Sequence, residues 1–494
     1  MKNIFKLILI SCLVLQSCES DLDINTNPNS PPSIDKSFAL TAAEASIATI
    51  LGGQLTNYGG FMVQYHTQSP GASQYLEIDQ YNVGSDYTNR MWTEAYAGSI
   101  SDLDFVISKS LEEADNSTYL IAKTLRAYIF QVLTDFYGDI PYSEVLTGID
   151  NINPAPIKQE EIYDALIISI DEALTRYNSN PTPVPSNVID QDALLAGKMP
   201  KWVQFANTLK LKMYLRLAYT NKANPSEVTS LILGGNLLTE DVSFGLYTDE
   251  ENKKNPFVDV QIDELGDVNN IASNSLLMFY QENNDPRLTE VYRQNSAKAF
   301  VAIDQGTRGD EPSTAVARNY SRPNINPTKP VFFITAAESN FLQAEGLIRY
   351  SGGAGAKAKY DEGVKQSFLN YGFPLTTTEE IEVLNVLITG TGPYVYTPGT
   401  NIEDTVRQVI IQKWASLAYV NTIEAYFEQL RTGFPEIKGT PDYSQGNLKT
   451  SAISVLSDKT IIPNSMFYSD GEVSRNSNLT QKSSLTEKVW WDQK

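Results

Sequence analysis

Leu125, Ile129, Val132, Leu133 and Phe136 recur at helical spacing, so Leu120 to Tyr137 reads as a helix with one apolar face, stopped by Gly138 and Pro141. A second stripe, Ile162, Leu166, Ile170 and Leu174, marks a helix from Glu160 to Tyr177 after a connection. Neither stripe is stable against water alone, so each must be covered by the other or by a further helix. The pairing recurs: Ala336 to Tyr350, the turn Gly352-Gly353-Ala354-Gly355 and Ala356 to Tyr371 form a helix, turn and helix of roughly tetratricopeptide length, ~34 residues. Ala337, Ala344, Ala356 and Ala358 are small enough to let that pair approach closely. Lys357 does not stand at Walker spacing from the glycines, so this turn is not read as a phosphate loop. Phe38 to Leu51 and Met91 to Leu111 also carry helical periodicity. The expected fold is mainly α: tetratricopeptide-like helix pairs forming a helical scaffold, with long irregular loops and minor β content. Helical repeats commonly serve recognition through a concave surface.

The first residues carry an address. Lys2 and Lys6 precede an apolar stretch from Leu7 to Leu15, too short to span a bilayer and typical of a signal peptide. Leu15-Gln16-Ser17-Cys18 then places a bulky residue, a small one and a cysteine in the order of a bacterial lipobox. Residues 1–17 are expected to be removed and Cys18 to be lipidated, with several acyl chains giving durable anchoring. Residues 18–34 form an expected tether, since Glu19 to Pro32 is polar and broken by proline. Asp21, Asp23 and Asn25 imitate a calcium loop, but Thr26 and Pro32 stand where glycine and glutamate are required, so calcium is not expected there. Residues 35–494 are expected to be one body. No apolar run after Leu15 reads as a membrane span, so that body is expected to be soluble.

Charge and residue counts exclude several chemistries. The formal charge of −21 becomes −23 once Lys2 and Lys6 leave, which argues against nucleic acid and against an electrostatic hold on anionic lipid. The one histidine, His66, rules out multi-histidine metal sites and is assigned a surface or packing role. Cys12 leaves with the signal segment, so Cys18 has no disulfide partner within the mature chain. No cofactor or metal is expected.

Two stretches lack helical periodicity and are read as loop-rich and exposed, about 69–90 and 239–330. The first holds Tyr75, Tyr81 and Tyr87 among Gln74, Gln80, Asn82 and Asp86; the second sets tyrosines and phenylalanines among Arg287, Arg293, Arg308, Arg318 and Arg322. Tyrosine joins a flat apolar face to a polar tip and so suits a hydroxyl-rich ligand. Tyr75, Tyr81, Tyr247 and Tyr320 are therefore the expected stacking platforms, and Asn82, Asp86, Arg287 and Arg322 the expected polar contacts. His66 and Gln68 are weaker additions.

A family resemblance runs along most of the chain. Phe130-Gln131-Val132-Leu133-Thr134-Asp135-Phe136-Tyr137-Gly138-Asp139-Ile140-Pro141-Tyr142 resembles the helix end and turn of SusD/RagB outer-membrane lipoproteins. In order follow Lys201-Trp202, Phe205 to Leu211, Asp285-Pro286-Arg287, Ala337 to Glu345, Gln412-Lys413-Trp414, Glu424 to Glu428, Arg431 to Pro435 and Val489-Trp490-Trp491-Asp492. The basic, proline-rich stretch common after the Arg-Thr-Gly-Phe segment departs from the pattern, standing as Ile462 to Phe467 without its arginine. The resemblance implies a lipid-anchored, surface-exposed protein of the bacterial outer membrane. It also implies a partner, a SusC-type TonB-dependent transporter, and an oligosaccharide ligand, or a peptide in RagB-like members. It marks the motif residues as structural, not as ligand contacts. Two rivals stand beside it. A surface glycoside hydrolase would need two carboxylates ~5 to 9.5 Å apart, and no recognisable catalytic motif accompanies the chain's many acids. The other is a helical scaffold that binds only protein.

Overall fold

Asp35 starts the first described helix: its carboxylate accepts the Ser37 amide at 2.8 Å, satisfying one of the donors a helix start leaves open. The structure, a computed structural model, describes residues 34–143, 151, 153–308 and 314–494. The expected signal segment, Cys18 and nearly all of the expected tether lie outside the described residues. About 52% of the chain is helical and 6% is strand, so the mainly α expectation holds.

Helix stops and starts follow local chemistry. Asp115 caps Asn116–Tyr137 by accepting from Thr118, and it also binds Lys36 at 2.8 Å, tying this helix to the start of the first. Gly138 ends it in the left-handed region, φ 82°, where a side chain would be strained. Gln159–Ser179 packs against it, and Met199–Arg216 packs on both. Thr335 caps Ala336–Tyr350, and Gly355, φ 82°, opens Ala356–Asn370. At that crossing Gly363 permits a close approach: a Cβ there would stand 2.7 Å from the Phe341 ring. Among the described residues strands are short and paired in five two-stranded sheets, of which His66–Gln68 against Asn270–Ala272 matters most for the site.

Two expectations are corrected. The first helix does not stop at Leu51; it runs unbroken through Lys36–Met62, 27 residues, long and apolar enough to cross a membrane by length and composition. Most of that helix is buried among other helices, so its apolar character is spent on the core. The 239–330 stretch is also less open than expected. It contains Val258–Glu264, Asn274–Glu282 and Arg287–Val291, and Phe257, Tyr280 and Tyr292 are buried there.

The motifs that carry the family resemblance meet in one buried ion network. Arg216 binds Asp135 at 3.1 Å and Glu424 at 2.8 Å, Lys212 binds Glu424 at 2.8 Å and Glu338 at 3.1 Å, and Lys413 binds Glu424 at 3.0 Å. Arg431 bridges Glu345 at 2.8 Å and Glu428 at 2.6 Å. Trp491, near the chain's end, donates its indole N–H to Asp135 at 2.7 Å. Burial pushes the Glu424 carboxyl up, but Arg216, Lys212 and Lys413 outweigh it and hold it at about 2. These groups lock helices to each other and are closed to solvent.

Candidate functional site

Three π-helical segments, Leu51–Leu55, Glu94–Ile100 and Val258–Glu264, each lend residues to one cleft of about 450 Å³. A π turn widens the helix by one residue and re-aims its side chains, and such turns concentrate at functional sites. The first contributes Gly53 and Gln54, the second Glu94, the third Val260 and Gln261. The 69–90 stretch closes the remaining side with Tyr75, Asp86 and Tyr87. The volume lies within the ~300–1,000 Å³ of small-ligand sites.

The tyrosines are held in place. Gln261 Nε2 donates to the Tyr75 hydroxyl at 2.7 Å, and the Tyr75 amide donates to Gln68 Oε1 at 2.6 Å. The Tyr75 ring also packs edge-on against Phe61, 5.8 Å between centroids. Burial raises the Tyr75 hydroxyl above the ordinary tyrosine value, so it stays a neutral donor at physiological pH. Gln54 Nε2 donates to the Tyr87 carbonyl, and Tyr87 leans on Tyr58 at 6.0 Å. Asn57 accepts from Asn270 at 2.7 Å, and its carbonyl lies 3.0 Å from His66 Nε2. Gln261 Oε1 is buried without a partner among the described residues. Gly53 keeps the floor clear; a Cβ there would meet only Pro256, at 3.6 Å.

The expected site residues divide. Tyr75 and Asp86 line the cleft together. Arg322 stands behind it, pairing with Asp267 beside Arg293, and the Asp267 amide donates to the Gln261 carbonyl at 3.0 Å. Asn82 is exposed and Tyr320 half-buried, neither on the cleft wall. Tyr247 packs edge-on against Phe244 at 5.4 Å, away from the cleft, with its hydroxyl buried and unbonded among the described residues.

Two choices are corrected outright. Arg287 is 0% exposed, bonded to Asp285 at 2.6 Å, Ser367 at 2.9 Å and Gln412 at 3.2 Å. Its Nε, Nη1 and Nη2 each bond inside the protein and the side chain is closed to solvent, so it holds the fold and is out of a ligand's reach. Tyr81 is 3% exposed, in a left-handed turn with φ 58°. Its ring belongs to the core, because the turn points it inward. Of the weaker additions, His66 and Gln68 are both buried. Burial pulls the His66 ring down to about 3, which keeps it neutral.

Residues that sequence reasoning missed are Gln54, Asn57, Tyr87, Asn89, Arg90, Glu94 and Gln261. A usable signal existed for two: Gln54 and Asn57 are amides in the glycine-rich second half of the first helix.

Residues 28–455 match the SusD-like family model described as starch-binding and associating with the outer membrane. Among curated proteins no significant match is found. A solved SusD homologue from Bacteroides uniformis is 23% identical, with 92% of this chain and 100% of that one covered and a TM-score of 0.73. Another, from Bacteroides thetaiotaomicron, is 22% identical over 94% of this chain and 100% of its own, TM-score 0.72. A SusD homologue from Flavobacterium johnsoniae described as chitin-binding is 19% identical over 93% and 99%, TM-score 0.74. At these identities the structures support the shared fold.

Proposed function

Because the chain belongs to the SusD-like family, we propose that it captures oligosaccharide at the bacterial outer membrane and hands it, uncleaved, to a SusC-type TonB-dependent transporter. The observation that carries this reading is the cleft where Tyr75 and Tyr87 stand beside the amides of Gln54, Asn57 and Gln261. Rings offer stacking faces to a sugar, and amides and hydroxyls match its hydroxyl groups, without any bond-making. Asp86 is a further polar contact on the rim, and Asn82, Tyr320 and Arg322 extend contact beyond the cleft for a longer chain.

In this reading residues 1–17 are removed, Cys18 carries the lipid and residues 18–34 give the body reach over a transporter. A lipid-anchored capture protein needs such slack, since ligand must pass from its cleft to a channel. The test is calorimetric titration of the mature chain carrying Cys18→Ala with starch-, chitin- and pectin-derived oligosaccharides and with a peptide library. Binding of one oligosaccharide class without release of new reducing ends supports the proposal. Binding confined to peptides, or cleavage of the bound glycan, overturns it.

A further inference from the structure

We propose that Asp79 and Gln68 are positioning residues for the cleft: neither reaches a ligand, and together they hold Tyr75 at its wall. Their role depends on the cleft being the oligosaccharide site proposed above. Both side chains are buried, and neither residue lines the cleft.

The chain closes on itself at this point. Tyr75 precedes the short helix Leu76–Asp79, and its carbonyl accepts the Asp79 amide at 3.3 Å. That single turn brings the Asp79 carboxyl back to the strand His66–Gln68, where its Oδ2 accepts the Gln68 amide at 2.8 Å and the Thr67 hydroxyl at 2.7 Å. Gln68 completes the ring, because its Oε1 accepts the Tyr75 amide at 2.6 Å. Three hydrogen bonds therefore link Gln68, Asp79 and Tyr75 in a circle. The circle is fastened from outside: Gln305 Nε2 donates to Asp79 Oδ1, and the Ser451 hydroxyl donates to the Asp79 carbonyl at 2.8 Å. The Tyr75 backbone is fixed by this circle, and its hydroxyl is fixed by Gln261. A binding side chain keeps its geometry only when its supporting shell is held as firmly.

The residue type at position 79 follows from its neighbours. Three donors converge on the side chain, and a carboxylate offers acceptors only, so it meets all three at once. Burial pushes this carboxyl up to about 7, against those donors and the charge of Arg308. Oδ2 stays an acceptor in either protonation state, since a proton on Oδ1 meets the buried Oε1 of Gln305, unpaired among the described residues, once that amide turns over. The hold works by acceptance and not by charge, so an amide at position 79 can reproduce it with the same turn of Gln305.

The experiment compares Asp79→Ala, Asp79→Asn and Gln68→Met in the mature Cys18→Ala chain, each with Tyr75 intact and with Tyr75→Ala. Without ligand and with Tyr75 intact, hydrogen exchange at the Tyr75 amide should be about tenfold faster or more in Asp79→Ala and Gln68→Met, and close to the unsubstituted rate in Asp79→Asn. Maltohexaose, chitohexaose and hexagalacturonate serve as binding probes. For a probe that binds, Asp79→Ala and Gln68→Met should each lose about three- to tenfold in affinity, and those losses should vanish in the Tyr75→Ala background. Asp79→Asn should recover most of the loss, and Gln68→Met carries the test if Asp79→Ala does not fold. A general loosening of the fold would cost affinity with or without the ring. Faster Tyr75 exchange with no probe bound supports the hold and overturns only the capture reading. Unchanged Tyr75 exchange, which would leave the loop to the Ser451 contact, overturns the proposal, as does an equal loss of affinity without the Tyr75 ring.

Discussion

Gln261 donates to the hydroxyl of Tyr75 at 2.7 Å, joining two irregular stretches that lie far apart in sequence. The bond places a ring from the first stretch over an amide from the second, and a cleft forms where they meet. Tyr75 accepts in this bond, so its own proton remains available to a ligand.

Tyr75→Ala should weaken oligosaccharide binding about tenfold or more, because it removes both the stacking face and the hydroxyl. Tyr75→Phe should keep the face and lose about 1 kcal/mol or less. Calorimetric titration of both variants checks the order, and equal losses would contradict a stacking role.

Gly53→Trp should block the cleft without unfolding the chain. The backbone at Gly53 is helical, and a Cβ there makes only an ordinary contact with Pro256, at 3.6 Å. Ligand binding should vanish while the melting temperature stays within a few degrees, read by titration beside thermal denaturation.

Arg287→Met should act on stability. Removing the guanidinium strands the buried Asp285 carboxylate, a cost of about 3–5 kcal/mol. Denaturant unfolding measures that loss, and the folded fraction should bind ligand with unchanged affinity.

His66 should make the chain acid-sensitive. Its ring is neutral down to about pH 3 in the fold but takes up a proton near pH 6.5 once unfolded. The unfolded state therefore binds more protons across that window, and stability falls as pH drops through it. Relative to His66→Gln, the unsubstituted chain should lose about 1.4 kcal/mol per pH unit between pH 6.5 and about 3, measured by unfolding at stepped pH.

Local signals were read well from the sequence and long-range ones poorly. The stripe from Leu125 to Phe136 and its stop at Gly138 gave a helix that differs from the observed one only by the turn Asp115 caps. The periodicity was read only as far as Leu51, yet the helix passes on through Gly52 and Gly53 by adopting a π turn. Tyr75 and Asp86, which line the candidate cleft, stand in an irregular stretch where aromatic and polar residues alternate. Tyr87 was visible in that same stretch without being chosen, and Gln261 was not singled out, since its approach to the stretch depends on how His66–Gln68 pairs with Asn270–Ala272. Arg287 misled because an arginine among aromatics has the same composition whether it greets a ligand or fills a core. Its spacing from Asp285 was the overlooked clue, for the pair closes on itself. Asp135, Glu338, Glu424 and Arg431 each stood in a recognisable motif, but only the fold shows them sharing one ion network.

The most direct measurement is a crystal structure of the mature Cys18→Ala chain with a saturating oligosaccharide that binds it in titration. The account predicts sugar rings against Tyr75 and Tyr87, with hydroxyls bonded to Gln54, Asn57 or Gln261. A saccharide bound elsewhere while this cleft stays empty would contradict it.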